Sequence, residues 1–152
     1  MLQFGTTALQ GSTIASLMAV VPSVRVLALS RIKPCLDTVL NLMKCFPHLD
    51  ALHIKIRDVE ENASYNKYWK SVGTFDIRLR KIVVAYSQDT KSHINFAKFF
   101  VMNASVLESM TFQFKRANVG SDVWNVRRQC RLLQIKKRAS PGARFYFVSQ
   151  LQ

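Results

Sequence analysis

Long hydrophobic runs are missing from this 152-residue sequence. No window of about 20 apolar residues exists, so no segment is read as a bilayer-spanning helix. Cysteine is scarce, with only Cys35, Cys45 and Cys130. An odd, low count gives no disulfide framework and fits a reducing compartment, so a cytoplasmic or nuclear location is expected. The first 24 residues carry no charged side chain. No basic residue precedes their apolar part, however, and Gln3, Thr6, Thr7, Gln10, Ser12 and Thr13 dilute it, so no secretory leader is read. The sequons at Asn62 and Asn103 then have no expected use. The catalytic and cofactor motifs G-x-S-x-G, H-E-x-x-H, G-x-G-x-x-G and the phosphate loop are also missing. The chain is therefore expected not to be an enzyme and to need no cofactor.

Acidic residues are few as well: 9 Asp and Glu against 22 Lys and Arg, a net charge of +13. Such a chain is attracted to anionic partners. The excess is uneven, since residues 106–152 hold nine basic and two acidic groups. What is plentiful is core material. Hydrophobic residues make up 49% and aromatics 11%, more than a disordered chain carries.

Four short stretches share one pattern: VRVLAL from Val24, LDALHI from Leu49, LRKIVV from Leu79 and LESMTF from Leu107. Their starts are 25, 30 and 28 residues apart, and a fifth copy, GARFYF, begins at Gly142, 35 residues later. An L-x-x-L-x-L core recurring at about 20–30 residues is the mark of a leucine-rich repeat. The fourth and sixth positions lie two apart and share one face of a strand. Leu27/Leu29, Leu52/Ile54, Ile82/Val84, Met110/Phe112 and Phe145/Phe147 should therefore point inward. Ala28, His53, Val83, Thr111 and Tyr146 should point to the opposite, open face.

Helical patterns fill the gaps. Leu36, Val39, Leu40 and Met43 follow i, i+3, i+4, i+7. Pro47 is expected to stop that helix, with Cys45 inside it, and Pro22 to stop an earlier one ending near Val21. Ser92 is expected to cap a helix running to Ala104, with Phe96, Ala97, Phe100 and Ala104 on its inner side and Ile94, Phe99 and Val101 beside them. Ser121 or Asp122 should cap a third helix reaching about Arg138, with Val123, Val126, Cys130 and Leu133 inward. Strand and helix alternating in one direction predict a parallel sheet. The expected fold is thus α/β, a leucine-rich-repeat solenoid fragment of about five strands, with the sheet concave and the helices convex.

Beyond the strand pattern, LRKIVVAYSQDTKSHINFAKFFVMNASVLESMTFQF resembles the core of the FBD region of plant F-box proteins. WNVRRQCRLL, from Trp124, is similar to the helix that follows in that family, and RASPGARFYF, from Arg138, to its closing segment. CFPHLDALHIKI, from Cys45, resembles the repeat just before. The resemblance implies three parts: a partial leucine-rich-repeat region at 1–56, an irregular connection at 57–76, and an FBD-like region at 77–148 that caps the array. It further implies a protein-recognition role, as the target-selecting part of an F-box-type adaptor for a cullin-based ubiquitin ligase. No F-box is read in the sequence, and residues 1–23 read as the tail of an earlier repeat. Docking on the ligase adaptor is therefore not expected, and a truncated, non-functional paralogue is an alternative reading. It would expose an apolar end near Ile14, Leu17 and Val20.

The open strand face supplies the candidate partner-binding residues: His53, Lys55, Lys81, Val83, Thr111 and Gln113. Their protein target is not named by the sequence. A second candidate is the basic patch of Arg127, Arg128, Arg131, Lys136 and Lys137, with Trp124 beside it and Arg138 following. Basic groups next to an aromatic suit phosphates and a stacked base. A solvated helix face explains them more simply, so a nucleic-acid-binding module is the alternative. Cys35, Cys45, His48 and His53 match no common zinc spacing, and no metal site is expected. Cys130 is read as a small buried hydrophobe. His93 is expected to pack over its helix turn or bind a carbonyl, and Lys98 to run its stem over apolar surface with its ammonium in water.

Overall fold

The computed structural model describes residues 6–10, 21–57, 77–86, 91–115 and 126–150. Six strands form one sheet: β1 (Thr6–Gln10), β2 (Val26–Ile32), β3 (Ala51–Ile56), β4 (Lys81–Ala85), β5 (Ser109–Lys115) and β6 (Arg144–Gln150). They lie side by side in chain order, and every neighbouring pair is parallel. The described helices are α1 (Leu36–Met43), α2 (Lys91–Asn103) and α3 (Val126–Leu132), followed by a 3-10 turn at Ile135–Lys137. The fold is mixed α/β.

The repeat pattern sets the register. Leu27, Leu52, Ile82, Met110 and Phe145 stand opposite one another across β2 to β6. So do Leu29, Ile54, Val84, Phe112 and Phe147. In β2 to β5 these eight side chains are at most 2% exposed. They share one core with the inner sides of α1 and α2, which places those helices against one face of the sheet. Phe145 and Phe147 on β6 pack against the margin of that core, with Phe147 stacked on Phe112 at 5.0 Å. Such burial is the main favourable term in folding, at about 1.5–3 kcal/mol for each large side chain.

Each helix departs in part from the pattern read in the sequence. Six strands are present among the described residues, where about five were expected. The extra one, β1, lies where the tail of an earlier repeat was read, and Thr7 takes the register position that Leu27 fills in β2. A polar residue in the aliphatic slot hid the repeat. The helix expected to end near Val21 falls mostly outside the described residues, as do the apolar end at Ile14, Leu17 and Val20 and nearly all of the connection at 57–76.

In α1, Leu36, Val39 and Leu40 are buried as expected, joined by Leu42, while Met43 is half-buried. The helix ends at Met43, before Pro47, and Cys45 lies in the following turn. There the Cys45 and Phe46 N–H groups donate to the Leu42 and Met43 carbonyls, tightening the last turn. Proline is thus not what stops this helix.

In α2, Ser92 is the second helical residue and is buried, so it is not the N-cap. The inner side is as read: Phe96, Ala97, Phe100 and Ala104 are at most 1% exposed. Phe100 meets Phe96 and Phe99 edge-on at 5.4 and 5.7 Å, the geometry ring quadrupoles favour. Four of the carbonyls in the last turn and a half of α2 are taken. Those of Phe99, Phe100, Val101 and Asn103 accept from the Asn103 side chain and from the backbone N–H groups of Ala104, Ala139 and Ile77. The helix end thereby fixes the approach to β4 and the turn before β6.

The third helix is shorter and rotated. It stops at Leu132, well before Arg138, because Gln134 enters the left-handed region at φ 55°. Val126 is 49% exposed and Cys130 half-buried, while Gln129 and Leu133 are fully buried. Gln129 is held inward by the Tyr86 hydroxyl, which donates to its Oε1 at 3.0 Å. Hydrophobicity alone placed Val126 and Cys130 inside. A buried polar pair overrode it. Val123 and the capping residues Ser121 and Asp122 lie outside the described residues.

Candidate recognition face

On a strand, positions between inward residues must face the other way. The row Ala28, His53, Val83, Thr111 and Tyr146 is in register across β2 to β6. Its first four members are half-buried, and Tyr146 is 46% exposed. One step towards the strand starts, Lys81 pairs with Ala51 and Ser109, and Ser109 with Arg144. One step towards the strand ends, Ala85 lies between Lys55 and Gln113. All six candidate residues, His53, Lys55, Lys81, Val83, Thr111 and Gln113, therefore share one face, with neighbouring strands about 4.8 Å apart.

The face is charged by its lysines and Arg144, which are exposed. His53 contributes less. Partial burial and, secondarily, the nearby Lys81 ammonium hold its imidazole below the usual pKa of 6.5. It is thus mostly neutral at pH 7. Arg144 and Val148 are additions to the face, the latter 47% exposed. The same alternation that marked Tyr146 reaches both of them along β6.

A ladder of backbone bonds runs along the rim where the strands begin. The N–H groups of Asp50, Arg80 and Glu108 donate to the carbonyls of Arg25, Asp50 and Arg80, each at 2.8 Å, and Arg144 donates to Glu108 at 3.0 Å. The side chains along it alternate in sign. Arg25 and Asp50 form an exposed ion pair at 3.6 Å. The β2 strand also carries a bulge: three steps from Leu29 to Ile32 face two steps from Ile54 to Ile56. Arg31 absorbs the extra residue at φ 57°.

The basic patch is less unified. Arg127 and Arg131 are exposed and one helical turn apart, and Lys136 and Lys137 are exposed on the 3-10 turn. Arg128 is half-buried. Arg138 is committed to its own turn, donating to the Pro141 carbonyl at 3.2 and 2.8 Å and to that of Ile135 at 3.3 Å. Trp124 lies outside the described residues.

The other residues weighed in the sequence fall into place. His93 is fully buried in α2, and its Nε2 donates to the Arg57 carbonyl at 3.3 Å. It lies against the Tyr86 ring, with centroids 6.0 Å apart. Lys98 is half-buried. The three cysteines are free, and burial pushes the Cys130 thiol up, away from the reactive thiolate. Among the described residues, no group of three or more His, Cys, Asp or Glu could hold a metal ion. No described helix is long and apolar enough to cross a membrane.

Comparison with known proteins bears on the first third of the chain. Residues 1–54 match the family model described as "FBD-associated F-box protein At5g56370, LRR repeats". No curated protein matches the chain. No solved structure matches it either. The matched stretch holds β1, β2, α1 and the start of β3, where the register and inward rows are those of the repeat. Over residues 1–54 the chain is therefore similar to the leucine-rich repeats of FBD-associated F-box proteins, the family that the sequence resemblance pointed to.

Proposed function

We propose that this chain is the target-selecting portion of an F-box-type adaptor for a cullin-based ubiquitin ligase. The match of residues 1–54 to the repeats of that family carries this reading. In it, the strand–helix units stack as a solenoid. The strand face with His53, Val83 and Thr111 is concave, the helices are convex, and residues 77–148 close the array as an FBD-type cap. Recognition by such a face is non-covalent and needs neither catalytic groups nor a cofactor, and the protein acts in the cytoplasm or nucleus.

Face geometry supports the reading. Five strands present their outward side chains in rows, which is a broad surface for protein contact and not a pocket for a small molecule. Capture experiments with the purified chain test it. Val83→Arg and Thr111→Arg, each placing a long charged side chain on the face, should lose the specifically captured protein. Asn41→Arg on the outer side of α1 should retain it, and thermal melts should show all three variants folded. Equal capture by the face variants and the wild type would remove the recognition surface from this face.

A further inference from the structure

Carboxylates are unevenly distributed over the sheet. At the rim, Asp50 and Glu108 alternate with Arg25 and Arg80, so basic and acidic groups are matched there. On the face they are not. Lys55, Lys81, Lys115 and Arg144 occupy face positions of β3, β4, β5 and β6, and no Asp or Glu occupies a face position of β2 to β6. Lys55, Lys81 and Arg144 are exposed. Between them the face is small and mixed, with half-buried Val83, Thr111, Ser109 and Gln113 and the buried Ala85, and it ends in the exposed Tyr146 and Val148.

Resting on the reading of this face as the recognition surface, we infer that it takes an acidic polypeptide segment laid across β3 to β6. A single sign of charge set in a partly apolar surface steers an oppositely charged partner and rejects a like-charged one. Two features favour polypeptide over nucleic acid. The cations are few, and Lys55 and Lys81 stand beside the aliphatic Ala85 and Val83, which suit the packing of Val or Leu between carboxylates. Besides the His53 imidazole the face row offers one ring, Tyr146, where single-stranded nucleic acid is held by successive stacking rings. The neutral tendency of His53 sharpens the pattern, because it leaves the lysines and Arg144 as the recognition charges.

Fluorescence anisotropy with the full chain tests this. The probes are three labelled 12-residue peptides that differ only in carrying six Glu, six Gln or six Lys, and a 12-nucleotide single-stranded RNA. The Glu peptide should bind about tenfold or more tighter than the Gln peptide, and the Lys peptide should not bind. Lys55→Gln, Lys81→Gln and Arg144→Gln together should weaken the Glu peptide about tenfold or more, whereas Arg127→Gln with Arg131→Gln should leave it unchanged. The single Lys81→Gln variant, checked by its melt, should show a smaller loss in the same direction. Equal binding of the Glu and Gln peptides, indifference to the triple variant, or a preference for RNA lost with Arg127 and Arg131 would each overturn the inference. If the peptides fail while Val83→Arg still abolishes protein capture, only the acidic partner class falls. If both fail, the face reading falls with it.

Discussion

At the residue scale, His53 shows how neighbours set charge on an open face. Its imidazole is pulled below its ordinary pKa by burial first and by Lys81 second, with Lys55 the other cation at a face position of its own strand. Its β2 neighbour in register, Ala28, adds no charge. The linkage sign follows. A base whose folded pKa is lowered binds protons more readily when unfolded, so its contribution to stability is intact above the unfolded value near 6.5 and is lost as pH falls below it towards the folded value. His53→Gln should therefore flatten the decline in melting temperature between about pH 6.5 and 5 relative to the wild type. An unchanged decline in the variant would show that His53 is as solvated in the folded chain as in the unfolded one. Tyr86 and Gln129 show a different case, a buried polar pair joined by a hydrogen bond. Neither residue carried a signal in the sequence, since the pairing spans 43 positions and depends on two strands and two helices being in place.

At the element scale, non-glycine residues do two jobs usually given to glycine. Gln134 ends α3 at φ 55°, with its N–H donating to the Arg131 carbonyl at 3.2 Å, and Arg31 turns the β2 bulge at φ 57°. A left-handed conformation costs an L-residue about 1–2 kcal/mol, partly offset by the unfolded-chain entropy that glycine adds. Gln134→Gly should thus raise stability by about 0.5–1 kcal/mol in denaturant melts, with no change in slope. A loss of stability would mean that the Gln134 side chain contributes more than its backbone costs. These two positions also mark what the sequence conveys. Strand rows were legible because a period of two is written directly in Leu27/Leu29 and its four counterparts. Helix ends were not, because Gln134 and Met43 are ordinary residues whose stopping role comes from backbone angles and local hydrogen bonds. The inner side of α3 was misread for the related reason that amphipathic reading ranks Val126 above Gln129, while burial here follows the Tyr86 partner. The candidate face, by contrast, needed only alternation and register, and all six residues lie together on it.

At the scale of the whole molecule, one sheet joins the stretch matched at residues 1–54 to the strands that follow it. β3 pairs with β4, and β4 with β5, in the same register as β2 with β3, so the outward row continues from Ala28 to Tyr146. That continuity is what makes a broad surface from short strands of five to seven residues. It also separates the two sides of the molecule sharply, with phenylalanine-rich helix packing on one and half-buried small side chains among exposed basic ones on the other. In the function proposed above, partners engage the second side. The most direct measurement places a photo-crosslinking amino acid at Thr111 in one version of the chain and at Asn41, exposed on α1, in another, and compares the proteins joined to each in cell extract. The account predicts a discrete crosslinked partner from position 111 that is absent from position 41 and is displaced by excess unlabelled chain. A partner joined from position 41 and none from position 111 would contradict it.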